Sequence, residues 1–252
     1  MKRYAILQTL VVALTLAFAG IGSGAQNHGN TSIPDFGSAK KILEQIVYRD
    51  HRIDFYCKAR FDEMKNITLP EGFLTPSHQG RARKMEWEHV VPAENFGRSF
   101  VEWRSGATQC NRNGQAYKGR ECARTNPLFA AMEADLWNLV PAIGAVNAAR
   151  SYYKFTQLPV DTPNTFGSCP VKIIGNQVEP PEYTRGEIAR ATLYMAWAYP
   201  DMHFLSEQQS NLMRAWDAMY RPDSWECTRA SRIKMVQGNI NPFVEKKCRE
   251  QE

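Results

Sequence analysis

A glutamate followed directly by a histidine interrupts an otherwise apolar stretch, "MEWEHVVPAENFG", at Met85–Gly97. Burying an unpaired carboxylate costs several kcal/mol, so Glu88 and His89 need either a partner or a function. An imidazole that titrates near neutrality can accept a proton from water, and a carboxylate can bind a hard divalent cation. Phosphodiester hydrolysis uses both kinds of group. Adjacent strand residues face opposite ways, so the pair can share a site only near a strand end, such as the one that Pro92 imposes.

The pair taken alone is equally compatible with a local hydrogen bond that has no catalytic role. An HExxH zinc motif is absent because Val90–Pro92 follow His89, and the sequence contains no GxGxxG loop, P-loop or GxSxG turn. The other four histidines have no metal-like spacing and are interpreted as surface or hydrogen-bonded residues: His28, His51, His78 and His203.

Two short strands and a helix would have to position this pair. Met85–Val91 is rich in β-forming residues and predicts one strand, and Leu136–Val140 predicts a second. Pro141 would then lie in the first turn of a short helix, "PAIGAVNAAR". If that helix crosses beneath the strand, the Asn147 amide can approach Glu88. The two side chains would supply a carboxylate and an amide oxygen, which are ligands that magnesium accepts.

The flanking segments are predicted to surround this unit. Residues 26–37 are polar and glycine-containing and predict a loose arm, followed by a helix with Ser38 as its N-cap. The stretch "RIDFYC" predicts a strand, and residues 97–127 predict a long surface excursion. Two apolar helices are expected to pack in the core, one at Arg185–Tyr199 and one after a capping box that starts at Ser206.

Residues 1–25 have the features of a secretory signal peptide: a basic start, an apolar run, and small residues that allow cleavage after Ala19 or Ala25. An uncleaved membrane anchor is the alternative, because the run approaches spanning length. Cleavage predicts a periplasmic or secreted protein with no stable membrane association and one domain at residues 26–252. Losing the two basic residues of this segment would lower the net charge from +5 to about +3, which neither proves nor excludes a nucleic-acid partner.

The chain has six cysteines, and an even number in an exported protein predicts three disulfides: Cys57, Cys110, Cys122, Cys169, Cys227 and Cys248. Sequence alone allows 15 pairings. Cys110 and Cys122 flank a polar stretch that cannot bury much surface, so a local bridge between them is plausible and would contribute about 3 kcal/mol. A zinc site is the competing use, and the absence of CxxC pairs disfavours it.

Several stretches together resemble the bacterial endonuclease I family of exported, nonspecific nucleases. The matching stretches follow one another in the family's order and cover most of the chain after the signal segment: "FYC", "EWEHVVPAENFG", "KGREC", "MEADLWNLVPAIGAVNAARS", "RGEIARATLYM" and "WECTRASRIKMVQGNINPFV". The chain departs from the pattern in two places. Trp137 stands where relatives can carry histidine, and "CKA" stands where some relatives have "CGC", which implies one disulfide fewer.

The resemblance implies an α+β fold: a mainly helical, disulfide-bonded single domain around a ββα-metal (His-Me finger) nuclease core at about residues 85–150. It implies a monomeric, magnesium-dependent endonuclease that cleaves DNA, and RNA as well, and leaves 5′ phosphates. One magnesium ion is expected, for which manganese or calcium can substitute. Recognition through phosphates would give little sequence preference and a strong dependence on salt.

Carried over residue by residue, the resemblance makes His89 the general base and makes Glu88 and Asn147 the magnesium ligands. Arg120, in "KGREC", matches the phosphate-stabilising arginine, and Glu133, in "MEAD", matches an acid placed behind the active site. Two alternatives from other classes remain. One is a disulfide-stapled protein that binds nucleic acid without cleaving it. The other is a secreted zinc hydrolase, which would need three converging nitrogen or sulfur ligands.

Overall fold

The computed structural model describes residues 28–250, so the predicted signal peptide lies outside the described residues. Among residues 28–250, no helix is long and apolar enough to cross a membrane. The strands are β1 Arg60–Phe61, β2 Ile67–Thr68, β3 Met85–His89, β4 Asn111–Arg112, β5 Gln115–Ala116, β6 Leu139–Ile143, β7 Lys154–Phe155, β8 Lys172–Ile174 and β9 Gln177–Glu179. The α-helices are α1 Phe36–Ile42, α2 Ala93–Gly97, α3 Val101–Arg104, α4 Arg120–Ala123, α5 Pro127–Glu133, α6 Gly144–Arg150, α7 Arg185–Ala198, α8 Glu207–Met219, α9 Ser224–Gln237 and α10 Pro242–Arg249.

The strand that carries the glutamate and histidine, β3, pairs antiparallel with β6, and α6 follows β6 directly. In this two-stranded sheet Glu88 lies opposite Val140, and His89 lies opposite Leu139. The predicted first strand is therefore present, and the second begins three residues later than expected, after a 3₁₀ turn at Leu136–Asn138. The result is a strand–strand–helix unit with the pair at the end of its first strand.

The prediction that Pro141 starts the helix was wrong, because Pro141 lies inside β6, opposite Trp87. Proline lacks an N–H group and is tolerated at a sheet edge, and here its carbonyl accepts a hydrogen bond from the Phe55 N–H (2.8 Å). The helix starts at Gly144, whose own N–H still donates to a carbonyl on the neighbouring chain segment, that of Lys84 (2.8 Å). A Cβ atom at Gly144 would lie 2.7 Å from the Arg81 carbonyl oxygen, so glycine fits this close approach.

The N-terminal segment is docked, which corrects the prediction of a loose arm at residues 26–37. Asn30 is buried, and its N–H donates to the Asp135 carboxylate (3.2 Å). The predicted N-cap was also wrong. Asp35 accepts the hydrogen bond from the Ser38 N–H (2.8 Å), so α1 begins at Phe36 and Ser38 lies in its first turn. The segment consequently runs beside the β3–β6 sheet, where Phe36 contacts His89.

The stretch "RIDFYC" forms a turn in place of the predicted strand, since Ile53 contributes only a single bridge to Arg60. Asp54 is buried and accepts hydrogen bonds from the N–H groups of Cys57 (2.6 Å) and Ile143 (2.9 Å). Burial raises the pKa of Asp54 to about 6, although the backbone N–H donors favour its charged form. This carboxyl group ties the turn to the junction between β6 and α6.

Three disulfides and a layer of C-terminal helices complete the domain. The structure joins Cys110 to Cys122, the pair favoured by the sequence; the other bonds are Cys57–Cys169 and Cys227–Cys248. The two predicted core helices are present as α7 and α8, and Ser206 caps α8 by accepting from the Gln209 N–H (3.3 Å). Helix α7 is buried along most of its length and packs on α8.

Candidate active site

One cleft, with a volume of about 290 Å³, contains most of the residues singled out in the sequence. Glu88, His89, Arg120 and Asn147 all line it. Glu133 does not line the cleft and lies behind it, where it contacts both His89 and Arg120. The structure therefore brings together side chains from β3, α4 and α6, with the acid on α5 behind them.

His89 is held in one orientation by two contacts. Its Nε2 lies 2.9 Å from the backbone carbonyl oxygen of Glu133, and the Phe36 ring packs against the imidazole with 4.9 Å between centroids. A carbonyl oxygen only accepts hydrogen bonds, so Nε2 carries the proton and Nδ1 keeps its lone pair. Burial, reinforced by the positive charge of Arg120, lowers the pKa of His89 to about 3. The imidazole is therefore neutral at pH 7.

Glu88 is buried, with only 3 % of its surface exposed. Its Oε1 accepts a hydrogen bond from the Tyr56 hydroxyl (3.3 Å) and lies 3.0 Å from Nη1 of Arg150. Burial nevertheless raises the pKa of Glu88 to about 7, although Arg150 and Tyr56 favour the ionised form. The protein thus compensates this carboxylate only in part, and an additional cation would favour its charged state.

Arg150, which sequence reasoning missed, fixes the end of β3. Its Nη1 donates to the His89 carbonyl (2.9 Å) and its Nη2 to the Val90 carbonyl (2.5 Å), while the guanidinium lies 4.5 Å from the Phe155 ring centroid. These bonds hold the chain where strand pairing stops, and both Glu88 and His89 line the cleft there. The sequence position of Arg150 could have identified it, because it lies three residues after Asn147 and therefore on the same face of α6.

Asn147 is oriented by a second acid that the sequence did not reveal. Its Nδ2 donates to Glu86 Oε2 (2.9 Å), so its Oδ1 is left as the acceptor atom of this amide. Glu86 is itself paired with Arg81, whose Nε donates to Oε1 (2.8 Å). Glu86 precedes Glu88 by two residues and lies on the same face of β3, which is the pattern that could have identified it.

Arg120 is tethered through Glu133. Its Nε donates to Glu133 Oε1 (2.5 Å), and Arg124 donates to both carboxylate oxygens of Glu133 (2.8 Å to Oε2 from Nε, 2.8 Å to Oε1 from Nη2). Burial tends to raise the pKa of Glu133, and the bonds from Arg124 and Arg120 outweigh it and hold the pKa below its usual value. The Cys110–Cys122 disulfide anchors α4, which carries Arg120.

One atom of Arg120 is left over: Nη2 is buried and has no hydrogen-bond partner among residues 28–250. Two arginines share one glutamate here, so one positive charge is in excess beside His89. A buried donor with excess positive charge is suited to an anionic oxygen.

The donor set of the cleft suits some metal ions and not others. Within residues 28–250, no three histidine, cysteine, aspartate or glutamate side chains group together as a metal cluster. A catalytic zinc site would need three such ligands, so the residues present do not fit the zinc hydrolase alternative. One partly compensated carboxylate, Glu88, and one oriented amide oxygen, on Asn147, fit a hard cation that keeps several waters.

Comparison with known sequences identifies the family of this chain. A model of the family described as Endonuclease I matches residues 36–248. The chain belongs to the endonuclease I family. As an endonuclease I family member it is an endonuclease, and the resemblance seen in the sequence is confirmed.

This endonuclease I family member aligns with several relatives over nearly the whole length of each relative. An extracellular deoxyribonuclease of Aeromonas hydrophila is 39% identical over 84% of this chain and 90% of its own length. A periplasmic deoxyribonuclease of the same species is 38% identical, covering 84% and 86%. Endonuclease-1 of Buchnera aphidicola is 32% identical, covering 96% of both chains. The names of the two Aeromonas proteins confirm the predicted periplasmic or secreted location.

Proposed function

We propose that this chain is a magnesium-dependent, nonspecific endonuclease that hydrolyses DNA, and RNA as well, with His89 as the general base. The observation that carries the proposal is the bond from His89 Nε2 to the Glu133 carbonyl. It leaves an unprotonated Nδ1 on a neutral imidazole, in a cleft that also contains Glu88, Arg120 and Asn147. In this proposal β3, β6 and α6 form the ββα-metal core.

His89 Nδ1 accepts a proton from a water molecule in the cleft. The resulting hydroxide attacks phosphorus in line and the bond to the 3′ oxygen breaks. The departing 3′ oxygen takes a proton from solvent water and becomes a hydroxyl, and the 5′ phosphate stays on the other fragment. The low pKa of His89, about 3, ensures that the base is unprotonated before the substrate binds. A bound phosphate adds negative charge near the imidazole, which raises its basicity in the complex.

Glu88 and the Oδ1 atom of Asn147 would hold the magnesium ion. When bound, magnesium supplies Lewis-acid stabilisation of the charge on the phosphate and on the departing 3′ oxygen. Arg150 holds Oε1 of Glu88 and the end of β3 in place, and Glu86 holds the Asn147 amide with its oxygen available. Manganese or calcium can replace magnesium because both accept oxygen ligands.

Arg120 binds the phosphate group through its guanidinium, which lines the cleft. A charge-assisted bond to a phosphate oxygen satisfies this donor and neutralises the excess charge of the arginine pair on Glu133. Glu133 acts as a positioning residue, through its carbonyl on His89 and its carboxylate on Arg120.

The deoxyribonuclease names of the relatives support DNA as a substrate. Contacts through phosphates carry no base information, so we expect cleavage without sequence preference and activity on RNA too. The same contacts release counterions, so affinity should fall steeply with salt, by about one log–log unit per phosphate contacted. We expect the enzyme to act as a monomer.

The test compares plasmid nicking by the wild type, His89→Ala and His78→Ala in magnesium, zinc or EDTA. A general base contributes about 10²- to 10⁴-fold, so His89→Ala should lose at least that factor in single-turnover rate while its folded form keeps DNA binding. His78 lies on an exposed loop, so His78→Ala should match the wild type.

Each alternative gives a different result. Binding without nicking in any metal would support a binding protein, and nicking in zinc alone would support a zinc hydrolase. A stable His89→Ala variant with a near-native rate would remove His89 from the mechanism.

A further inference from the structure

A second cleft, about 450 Å³ in volume, adjoins the catalytic cleft and shares Trp87, Arg120, Asn147 and Ser151 with it. Helix α1 contributes Phe36 and Lys40 to its lining. A polynucleotide that leaves the catalytic cleft on this side would cross α1. The roles proposed for His89, the metal ligands and the Arg120–Glu133 bond do not explain what this second cleft does.

Most cations of the second cleft already have acidic partners. Lys65 Nζ lies 2.9 Å from Glu44, and Arg81 is paired with Glu86. Lys40 differs from them, because within residues 28–250 it has no carboxylate partner and its ammonium group lies over the Phe36 ring, 5.0 Å from the centroid.

The guanidinium of Arg120 lies 5.3 Å from the centroid of the same Phe36 ring. Two cations that share one aromatic ring repel each other, although each is attracted to the ring. A polyanion whose neighbouring phosphates reach both cations would remove the repulsion.

We propose that Lys40 and Phe36 form a subsite for the phosphate that neighbours the scissile phosphate on the cut strand, an inference that rests on the proposed function. Arg120 contacts the scissile phosphate and Lys40 contacts its neighbour. Phe36 is the shared platform that sets the spacing between the two cations. It also packs on His89, so the ring links the flanking contact to the position of the base.

The chain offers a matched control in the adjacent residue. Lys41 is exposed, does not line the cleft, and its charge acts on Asp35. Lys40→Ala and Lys41→Ala each remove one positive charge from α1, so they change long-range steering equally. Any difference between them reports a local contact.

The experiment measures single-turnover cleavage in magnesium and binding in EDTA, with an oligonucleotide that carries one neutral methylphosphonate. The product ladder gives the cleavage rate at the phosphate on either side of it. Lys40→Ala should cleave and bind the all-phosphate strand about tenfold less well than Lys41→Ala, since a charged hydrogen bond is lost. Lys40→Arg should restore most of the loss. The methylphosphonate should weaken the wild type at one of the two positions by a similar factor and have no further effect on Lys40→Ala.

Equal cleavage and binding by Lys40→Ala and Lys41→Ala would overturn the subsite, as would a methylphosphonate effect that is undiminished in Lys40→Ala. Failure of the proposed function has a different signature. The wild type would then bind the strand, with the contrast between Lys40 and Lys41 intact, and would not cleave it in magnesium.

Discussion

Replacing Arg150 by methionine removes the cation that pairs with Glu88 and keeps an unbranched apolar side chain in place of the arginine stem. Removing one partner of a buried ion pair costs about 3–5 kcal/mol, because the other charge is left uncompensated. Both partners are almost completely buried here, with side-chain exposures of 2% and 3%. The carbonyls of His89 and Val90 also lose their donors. We therefore expect Arg150→Met to lower the free energy of unfolding by about 4 kcal/mol in EDTA.

Urea unfolding, followed by circular dichroism in EDTA and in magnesium, measures this loss. Magnesium should stabilise the wild type, by about 2.7 kcal/mol at 100 times its Kd, and Arg150→Met by at least as much, because a cation on Glu88 replaces the missing compensation. Adding Glu88→Gln to Arg150→Met should recover part of the stability in EDTA and abolish the magnesium effect.

The matched control is Arg49→Met, since Arg49 is 65% exposed and, among residues 28–250, pairs with Asp50 alone at the surface. Such a pair is worth about 0–1 kcal/mol. A loss in Arg150→Met no larger than in Arg49→Met would refute the idea that Arg150 compensates a buried charge. An unchanged response to magnesium in the Glu88→Gln double variant would refute Glu88 as a ligand.

Two further variants test the acids behind the site and in the turn. Glu133→Gln keeps the backbone carbonyl that holds His89 and releases the side chains of Arg120 and Arg124. Single-turnover cleavage should therefore fall about 10- to 100-fold while DNA binding tightens. Weaker DNA binding would contradict this expectation. Burial raises the pKa of Asp54 to about 6. The stability that this group contributes is therefore complete below its ordinary pKa and is lost as the pH rises through 6, so the free energy of unfolding falls by about 3 kcal/mol. Urea unfolding from pH 4 to 7 should show this loss in the wild type relative to Asp54→Asn, and parallel curves would contradict it.

The part of the site that the sequence predicted is local in the chain. A strand at Met85–His89 follows from its β-forming residues and the proline behind it, and both site residues on that strand are adjacent. The Cys110–Cys122 bond likewise closes a short polar stretch. Such local patterns can be predicted from the sequence because the structures they form do not depend on residues far away in the chain.

The rest depended on contacts between residues far apart in the chain. Tyr56 reaches Glu88 across 32 positions, and Arg150 reaches the His89 carbonyl across 61, so no local pattern marks either contact. Pro141 was misplaced for the same reason: local preference favours a helix start, and pairing with β3 keeps it in a strand. The arm at residues 26–37 has the composition of a loop, and a bond from Asn30 to an aspartate 105 positions away docks it.

The charges around the cleft explain why these distant contacts matter for function. Each buried or half-buried acid at the site has an arginine partner: Glu88 with Arg150, Glu86 with Arg81, and Glu133 with Arg120 and Arg124. Fixed acids would repel a polyanion if they were unpaired, and pairing removes that repulsion while the carboxylate oxygens keep their positions. The positive charge in excess therefore belongs to the arginine pair beside His89 and to Lys40 across the Phe36 ring. A phosphate backbone would be attracted to the edge of the site that carries His89, and Glu88 with its incomplete compensation is left as the group that would favour a metal cation in the proposed function.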